Sequence, residues 1–187
     1  MGKGGEFERT CSVLLSKWVS KGERDDLFWR SDSSGARFTQ RKKSGKDTAN
    51  AGGDLTFSDI LGEPLIRNWS VEIKTGYGVK TDTGINRWDV LDFVDSKQKE
   101  PVLQKMWNQC TRDALLTNRI PVLIFRRNNR TPCIMFDNLY FQYLEGWFGQ
   151  FVDGVSIRIN FPLCCTLLLL SDFFKWIPDI SPALRKD

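Results

Sequence analysis

Segments with helical spacing of apolar residues alternate with strand-like segments along this chain of 187 residues, and their order limits the folds that it can adopt. Residues 6–21 and 101–118 place apolar side chains at helical spacing. Gly22 can end the first of these helices, and Pro101 suits the first turn of the second. Shorter segments that are typical of strands lie at 28–31, 53–58, 69–75, 121–127, 133–137 and 155–161. This order predicts an α/β fold with a central mixed β-sheet flanked by helices.

The length of the chain favours a single domain that spans residues 1–187. We expect residues 3–138 to form its core, and residues 139–187 to complete the fold or to form a dimer interface. The longest apolar run, residues 163–170, is far shorter than the ~20 residues of a membrane-spanning helix, so we expect a buried strand and no membrane partner. The aromatic residues near the start of the last segment favour a core or an interface over a base-stacking surface. They are Tyr140, Phe141, Tyr143, Trp147 and Phe148.

The chain contains no histidine, which excludes several kinds of catalytic site. Ser-His-Asp and Cys-His nucleophile arrangements and histidine-containing zinc motifs cannot form. Acid–base chemistry therefore falls to carboxylates, lysine, tyrosine or metal-bound water. The five cysteines are scattered and include no Cys-x-x-Cys pair. This pattern argues against a disulfide framework and fits a reducing compartment.

Basic residues are concentrated in one segment, although the net charge is only +4. Residues 31–53 are rich in serine, glycine and basic side chains, and five basic residues but no acid lie between Arg37 and Lys46. Such a segment predicts a functional loop, and its charge suits a polyanion such as nucleic acid. A solvated loop without a partner is the alternative. A second basic cluster consists of Arg126, Arg127 and Arg130.

Two carboxylates and a lysine form the sharpest candidate site. Asp54 lies in one predicted strand, while Glu72 and Lys74 lie two positions apart in the next and therefore share a face. If the strands are neighbours, the carboxylates can bind Mg²⁺, which activates water and polarises a phosphodiester. Lys74 would then stabilise the developing charge, and Glu8 could supply a third carboxylate. The alternative is a solvent-exposed strand face with alternating charges.

Several segments, in this order, resemble the PD-(D/E)XK nuclease superfamily and, within it, the Holliday junction resolvases and their phage relatives. They are KGGEFERTCSVLL (3–15), FWRSDSSG (28–35), GGDLTF (52–57), VEIKTGYG (71–78) and WNQCTRDALLTNRIPVLIFRR (107–127). The resemblance covers roughly residues 3–138 and implies a restriction-endonuclease-like fold. It departs from the family at Gly53, where the family has a proline before the aspartate.

The resemblance implies a metal site and a catalytic lysine. Asp54 and Glu72 would be metal ligands, with the backbone carbonyl of Ile73 as a third ligand. Lys74 would be the catalytic lysine. The ion implied is Mg²⁺, with Mn²⁺ able to substitute for it.

Two further catalytic positions come from the helices that resemble the family. Glu8 would match the glutamate of the opening helix, and Glu6 is the alternative because the start of a helix is uncertain by a residue or two. Gln109 would match the inward glutamine of the next helix, with Gln104 as its alternative.

The function implied is a Mg²⁺-dependent, structure-selective DNA endonuclease, most specifically a Holliday junction resolvase. In this context the basic loop would contact DNA phosphates through Ser33, Ser34, Arg37, Arg41, Lys42, Lys43 and Lys46. The two-fold symmetry of a four-way junction suggests a homodimer. We expect the cytoplasm of a bacterial host as the location, if a phage or prophage encodes the chain. The alternatives are another PD-(D/E)XK nuclease, restriction-like or for repair, and a non-catalytic nucleic-acid-binding module of the same fold.

Overall fold

A computed structural model describes residues 3–31, 53–76, 78–81, 84–87, 89–95, 97, 99–160 and 163–184. The helices in these ranges are α1 (Lys3–Val19), α2 (Glu63–Asn68), α3 (Asp92–Asp95), α4 (Val102–Thr117), α5 (Asn138–Phe148) and α6 (Leu170–Trp176). The first five strands are β1 (Phe28–Arg30), β2 (Leu55–Phe57), β3 (Trp69–Thr75), β4 (Gly78–Thr81) and β5 (Gly84–Arg87). The later strands are β6 (Ile120–Arg126), β7 (Cys133–Asp137), β8 (Ser156–Ile159) and β9 (Cys165–Leu169). Short 3₁₀ turns lie at Ile60–Gly62 and Ser181–Ala183.

The central sheet has five strands in the order β3-β6-β7-β9-β8. Strands β3 and β6 are parallel, and the remaining pairs are antiparallel. Two antiparallel pairs, β1–β2 and β4–β5, lie outside this sheet. The mixed sheet with helices packed on it confirms the α/β fold predicted from the sequence.

Helices cover both faces of the sheet, which explains why its central strands are apolar throughout. Residues 122–125 of β6 are all buried, a pattern typical of a strand that is covered on both sides. On one face, helices α1, α5 and α6 pack on the sheet around Trp69, Phe136 and Phe173. On the other face, α4 packs on β6 and β7, and its contributions are Leu103, Met106, Trp107 and Cys110.

Residues 139–187 supply two strands and two helices, α5 and α6, to this arrangement. Strands β8 and β9 extend the central sheet, and α6 packs into the same core as α1. A single domain with a core and a C-terminal extension stays a prediction. Within the described ranges, each helix is too short or too polar to cross a membrane.

The starts of three helices differ from what the sequence suggests. Gly62 to Pro64 suggests a turn, yet α2 begins there, with proline in its first turn, where a missing N–H costs nothing. The sequence suggests Ser171 as the cap of a short last helix, yet α6 already begins at Leu170. Helix α5 was not predicted, and Asp137 caps it by accepting a hydrogen bond from the Leu139 N–H at 2.8 Å.

Candidate active site

The candidate site lies on the polar face of strand β3. Ser70, Glu72 and Lys74 alternate with apolar residues along this strand and point towards α4. Glu72 exposes only 4% of its surface, and the Lys74 side chain exposes 14%. The polar side chains are therefore covered by a helix, and β3 does not have the solvent-exposed face that was the alternative for this pattern.

Asp54 is fixed to β3 by two backbone hydrogen bonds. Its N–H donates to the Val71 carbonyl at 2.7 Å, and its Oδ2 accepts from the Ile73 N–H at 2.8 Å. The neighbouring Gly53 has a φ of +85°, and a Cβ there would lie 2.5 Å from the Val71 carbonyl oxygen. Only glycine fits this conformation and this close approach, which accounts physically for the departure from the family's proline.

Glu72 is held by two donors on one oxygen. Gln109 Nε2, from α4, donates to Glu72 Oε1 at 2.8 Å, and Lys74 Nζ forms an ion pair with the same oxygen. The structure thus brings Gln109 to the site, whereas Gln104 lies half-buried more than one turn earlier on the helix. This geometry joins α4 to β3 through a partly buried, charge-assisted hydrogen bond.

The two carboxylates are buried together with a single lysine, and their pKa values reflect the crowding. The pKa of Glu72 is raised to about 7, because burial and then the Asp54 carboxylate raise it more than Lys74 lowers it. Burial also raises the pKa of Asp54, against the hydrogen bond from Ile73. Because burial and mutual repulsion disfavour two negative charges, a divalent cation would stabilise this pair.

Helix α1 brings Glu8 towards the same place. Phe7 is fully buried in the core, and Glu8 next to it faces Arg30, whose Nε lies 2.5 Å from Glu8 Oε2. That oxygen is itself buried, and Arg30 is its ion-pair partner. Burial and then Asp54 raise the pKa of Glu8, so the two carboxylates are within electrostatic range. Glu6, the alternative, is exposed.

Two charged residues near the site were not predicted. They are Arg30 and Asp113, and both act on the pKa of Asp54. Burial is the main cause of its rise, Arg30 lowers it and Asp113 raises it. Asp113 follows Gln109 by one helical turn, and this spacing could have revealed it. Arg30 ends strand β1, which pairs with β2 directly after Asp54, but no sequence signal reveals that pairing.

The predicted basic residues are only partly described. Ser33, Ser34, Arg37, Arg41, Lys42, Lys43 and Lys46 lie outside the described residues. In the second cluster, Arg127 forms an ion pair with Asp89. The Arg126 guanidinium lies 4.3 Å from the centre of the Phe7 ring, beside helix α1.

The side chains of the site have the chemistry that a divalent metal ion prefers, but they do not form a complete set of protein ligands. Among the described residues, no group of three or more His, Cys, Asp or Glu side chains is arranged to hold a metal. Asp54 and Glu72 provide two hard oxygen donors, which Mg²⁺ prefers. Glu8 provides a further carboxylate within electrostatic range of Asp54, and its Oε2 is paired with Arg30.

A mixed sheet with an aspartate before one strand and Glu-x-Lys on the next defines a restriction-endonuclease-like α/β protein. The family model described as "Phage putative PDDEXK endonuclease" matches residues 1–153, and the chain belongs to this family. Membership indicates a nuclease that acts on DNA, and PD-(D/E)XK nucleases generally use divalent metal ions. A search of the curated proteins and a search of the solved structures returned no match.

Proposed function

We propose that the protein is a Mg²⁺-dependent, structure-selective DNA endonuclease that resolves Holliday junctions. The observation that carries the proposal is the burial of the Asp54 and Glu72 carboxylates beside Lys74, which forms an ion pair with Glu72. Burying these charges is costly, and the cost is understandable if they perform chemistry on a charged substrate. Family membership supports the broader activity, and the junction substrate is the finer part of the proposal.

The proposed metal ligands are Asp54, Glu72 and the backbone carbonyl of Ile73. The bound ion would supply an activated water and neutralise charge on the phosphodiester, and Mn²⁺ would substitute for Mg²⁺. Asp54 is prepared for this role because the Ile73 N–H fixes one of its oxygens. The raised pKa of Glu72 indicates that a cation is needed to keep it ionised near neutral pH.

Three side chains would act around the phosphate. Lys74 would orient the attacking water and stabilise the negative charge that develops on the phosphodiester oxygens. Gln109 would position Glu72 through the hydrogen bond that joins them. Glu8 would complete the catalytic set by adding a carboxylate within electrostatic range of Asp54, and its alternative Glu6 is exposed.

DNA binding is assigned to the basic segment that follows β1. Arg30, the last residue of β1, is half-exposed and forms an ion pair with Glu8. The basic segment therefore begins next to the candidate site. Its basic and serine residues would contact phosphates rather than read bases. A dimer related by two-fold symmetry would place two such sites on one junction. If a phage or prophage encodes the chain, its location would be the host cytoplasm.

The test is cleavage of a synthetic four-way junction, a linear duplex and a single strand, each with Mg²⁺ and with EDTA. We expect the junction to be cut fastest and EDTA to abolish cutting. Asp54→Asn and Glu72→Gln should remove activity, whereas Asp153→Asn, at an exposed carboxylate far along the chain, should retain it. Sedimentation of the protein with the junction should show two copies per junction.

Each result of this test separates the proposal from an alternative. Equal cutting of duplex and junction would remove the resolvase assignment and leave a restriction-like or repair nuclease. Junction binding without cutting by the wild-type protein in Mg²⁺ or Mn²⁺ would favour a non-catalytic DNA-binding module. Unchanged activity in both carboxylate variants would remove the proposed site.

A further inference from the structure

A cleft lies at the end of the sheet away from the carboxylates. Its volume is about 410 Å³, within the usual range of small-molecule sites, and it lies between the start of β6 and helix α5. Its lining consists of Arg119, Ile120, Pro121, Asp137, Leu139, Tyr140, Tyr143 and Ala183. Ile120 pairs with Trp69, three residues before Glu72, so the cleft is about 10 Å from the carboxylates at ~3.3 Å per strand residue.

Arg119 is a half-buried cation without a partner in the described chain. Its Nη1 is buried and forms no hydrogen bond there, and the described residues include no ion-pair partner for the guanidinium. Burial lowers its pKa. Asp137 lines the same cleft, but its Oδ1 caps α5 by accepting from the Leu139 and Tyr140 N–H groups at 2.8 and 3.4 Å. A buried charge without a partner is costly, and a bound anion would offset that cost.

Two tyrosines form a fixed aromatic surface beside Arg119. The rings of Tyr140 and Tyr143 are stacked, with their centres 5.7 Å apart and their planes inclined by 21°. Trp69 Nε1 donates to Tyr140 Oη at 2.8 Å, and Tyr143 Oη donates to the Ala183 carbonyl at 3.1 Å. Both hydroxyls are thus anchored, while Tyr143 remains 43% exposed. Anchored rings provide stacking area at little entropic cost.

We propose that this cleft binds a nucleotide unit, with its phosphate at Arg119 and its base against Tyr143. A phosphate accepts the planar donor pair of a guanidinium, and every base has a face that can stack on tyrosine. Free nucleotides and nucleotides within an unpaired strand share this chemistry. The site goes beyond the proposed cleavage function, because the cleft shares no lining residue with the carboxylate site.

The test is calorimetric titration of the full chain, in EDTA, with dTMP, thymidine and inorganic phosphate. We expect saturable binding of dTMP, and at least tenfold weaker binding of thymidine and of phosphate. A titration with an eight-residue oligothymidylate distinguishes the two sources of the nucleotide. Tighter binding of the oligomer supports an unpaired strand, and equal or weaker binding supports a free nucleotide.

Matched variants assign the binding to the cleft. Arg119→Met should weaken dTMP binding at least tenfold without lowering the melting temperature, since the guanidinium has no described partner to lose. Arg158→Met, which removes an arginine from edge strand β8, should bind dTMP like the wild type. If Arg119→Met fails to fold, Arg119→Lys keeps the charge and should retain weaker binding.

Two results would overturn the site. One is unaltered dTMP binding in Arg119→Met, and the other is the absence of saturable dTMP binding by the wild type. Both are independent of the cleavage activity, because the titration uses EDTA and can be repeated with Glu72→Gln. A protein that binds dTMP but cuts no DNA would therefore refute the nuclease proposal and leave the cleft assigned.

Discussion

The two faces of strand β3 are buried to a similar degree but contribute to the protein in opposite ways. On one face, Trp69 packs against Phe136 and Phe173, with ring centres 5.5 and 6.1 Å away. On the other face, Glu72 is buried beneath Gln109 of α4 and paired with the partly buried Lys74. Burial of the aromatic face lowers the free energy of the folded state, whereas burial of the charged face costs free energy. A buried face that costs stability indicates function.

The largest expected effect comes from the apolar face. Trp69→Ala removes a fully buried indole and should lower the free energy of unfolding by about 3–5 kcal/mol, measured by urea denaturation. Trp29→Ala, at an indole that is 63% exposed, is the control and should change it by less than about 0.5 kcal/mol. A loss below about 1 kcal/mol for Trp69→Ala would show that this face does not dominate stability.

The second largest effect is expected at Gly53, which lies against the backbone of β3. Gly53→Ala places a Cβ against the Val71 backbone at a φ of +85° and should cost about 3 kcal/mol, by the same denaturation measurement. Gly22→Ala is the matched control, because its φ is +94° but no heavy atom lies within 4 Å of the added Cβ. It should cost only about 1 kcal/mol. Equal losses in the two variants would contradict the close approach of Gly53 to β3.

The charged face should make stability depend on pH in the absence of metal. The folded protein holds the Glu72 proton more tightly than the unfolded chain, because burial raises its pKa from 4.5 to about 7. Stability from this group is therefore complete below pH 4.5 and is lost as the pH rises to about 7. The expected loss is about 3 kcal/mol, measured by urea denaturation in EDTA at several pH values.

Glu72→Gln isolates this contribution. The variant should show a much smaller decline between pH 4.5 and 7 than the wild type, because only the raised pKa values of Asp54 and Glu8 remain. Glu23→Gln, at an exposed position, should retain the full decline. Identical pH profiles for Glu72→Gln and the wild type would refute the electrostatic cost of the buried face.

The smallest expected effect comes from Arg126, the last residue of β6. Its guanidinium lies over the Phe7 ring, and Arg126→Met should lower the free energy of unfolding by about 0.5–1 kcal/mol. Thermal denaturation at low and high salt checks this value, because a cation–π contact in a partly buried place should change little with salt. A loss above about 2 kcal/mol would indicate a larger structural role for Arg126.

The fold was predictable from the sequence to the extent that hydrophobic period decides an element. Strands β6 and β7 were predicted close to their observed bounds, since each is an apolar run of strand length. Helix α5 was missed because its aromatic residues indicate burial without indicating a secondary structure, and its cap at Asp137 is a single residue. The spacing of apolar residues is thus a strong signal of a helix or strand, whereas a single capping residue is a weak signal of a helix.

The candidate site was predictable in its residue types but not in its environment. The Glu-x-Lys pattern of β3 is the same on an exposed and on a covered strand, so only the fold reveals that Gln109 and α4 lie over it. The approach of Arg30 depends on the pairing of β1 with β2, which involves residues separated by more than twenty positions. Asp113 was missed although its helical spacing from Gln109 was visible. Long-range packing therefore explains most of what the sequence left open.

The most direct test of the two-face comparison is the single-turnover rate of four-way junction cleavage by folded Glu72→Gln protein in Mg²⁺. If the charged face is buried for catalysis, the rate should fall by about 1,000-fold or more while the free energy of unfolding at pH 8 stays within about 1 kcal/mol of the wild type. A cleavage rate within about tenfold of the wild type, in a variant of unchanged stability, would contradict the assignment of this face as the active site.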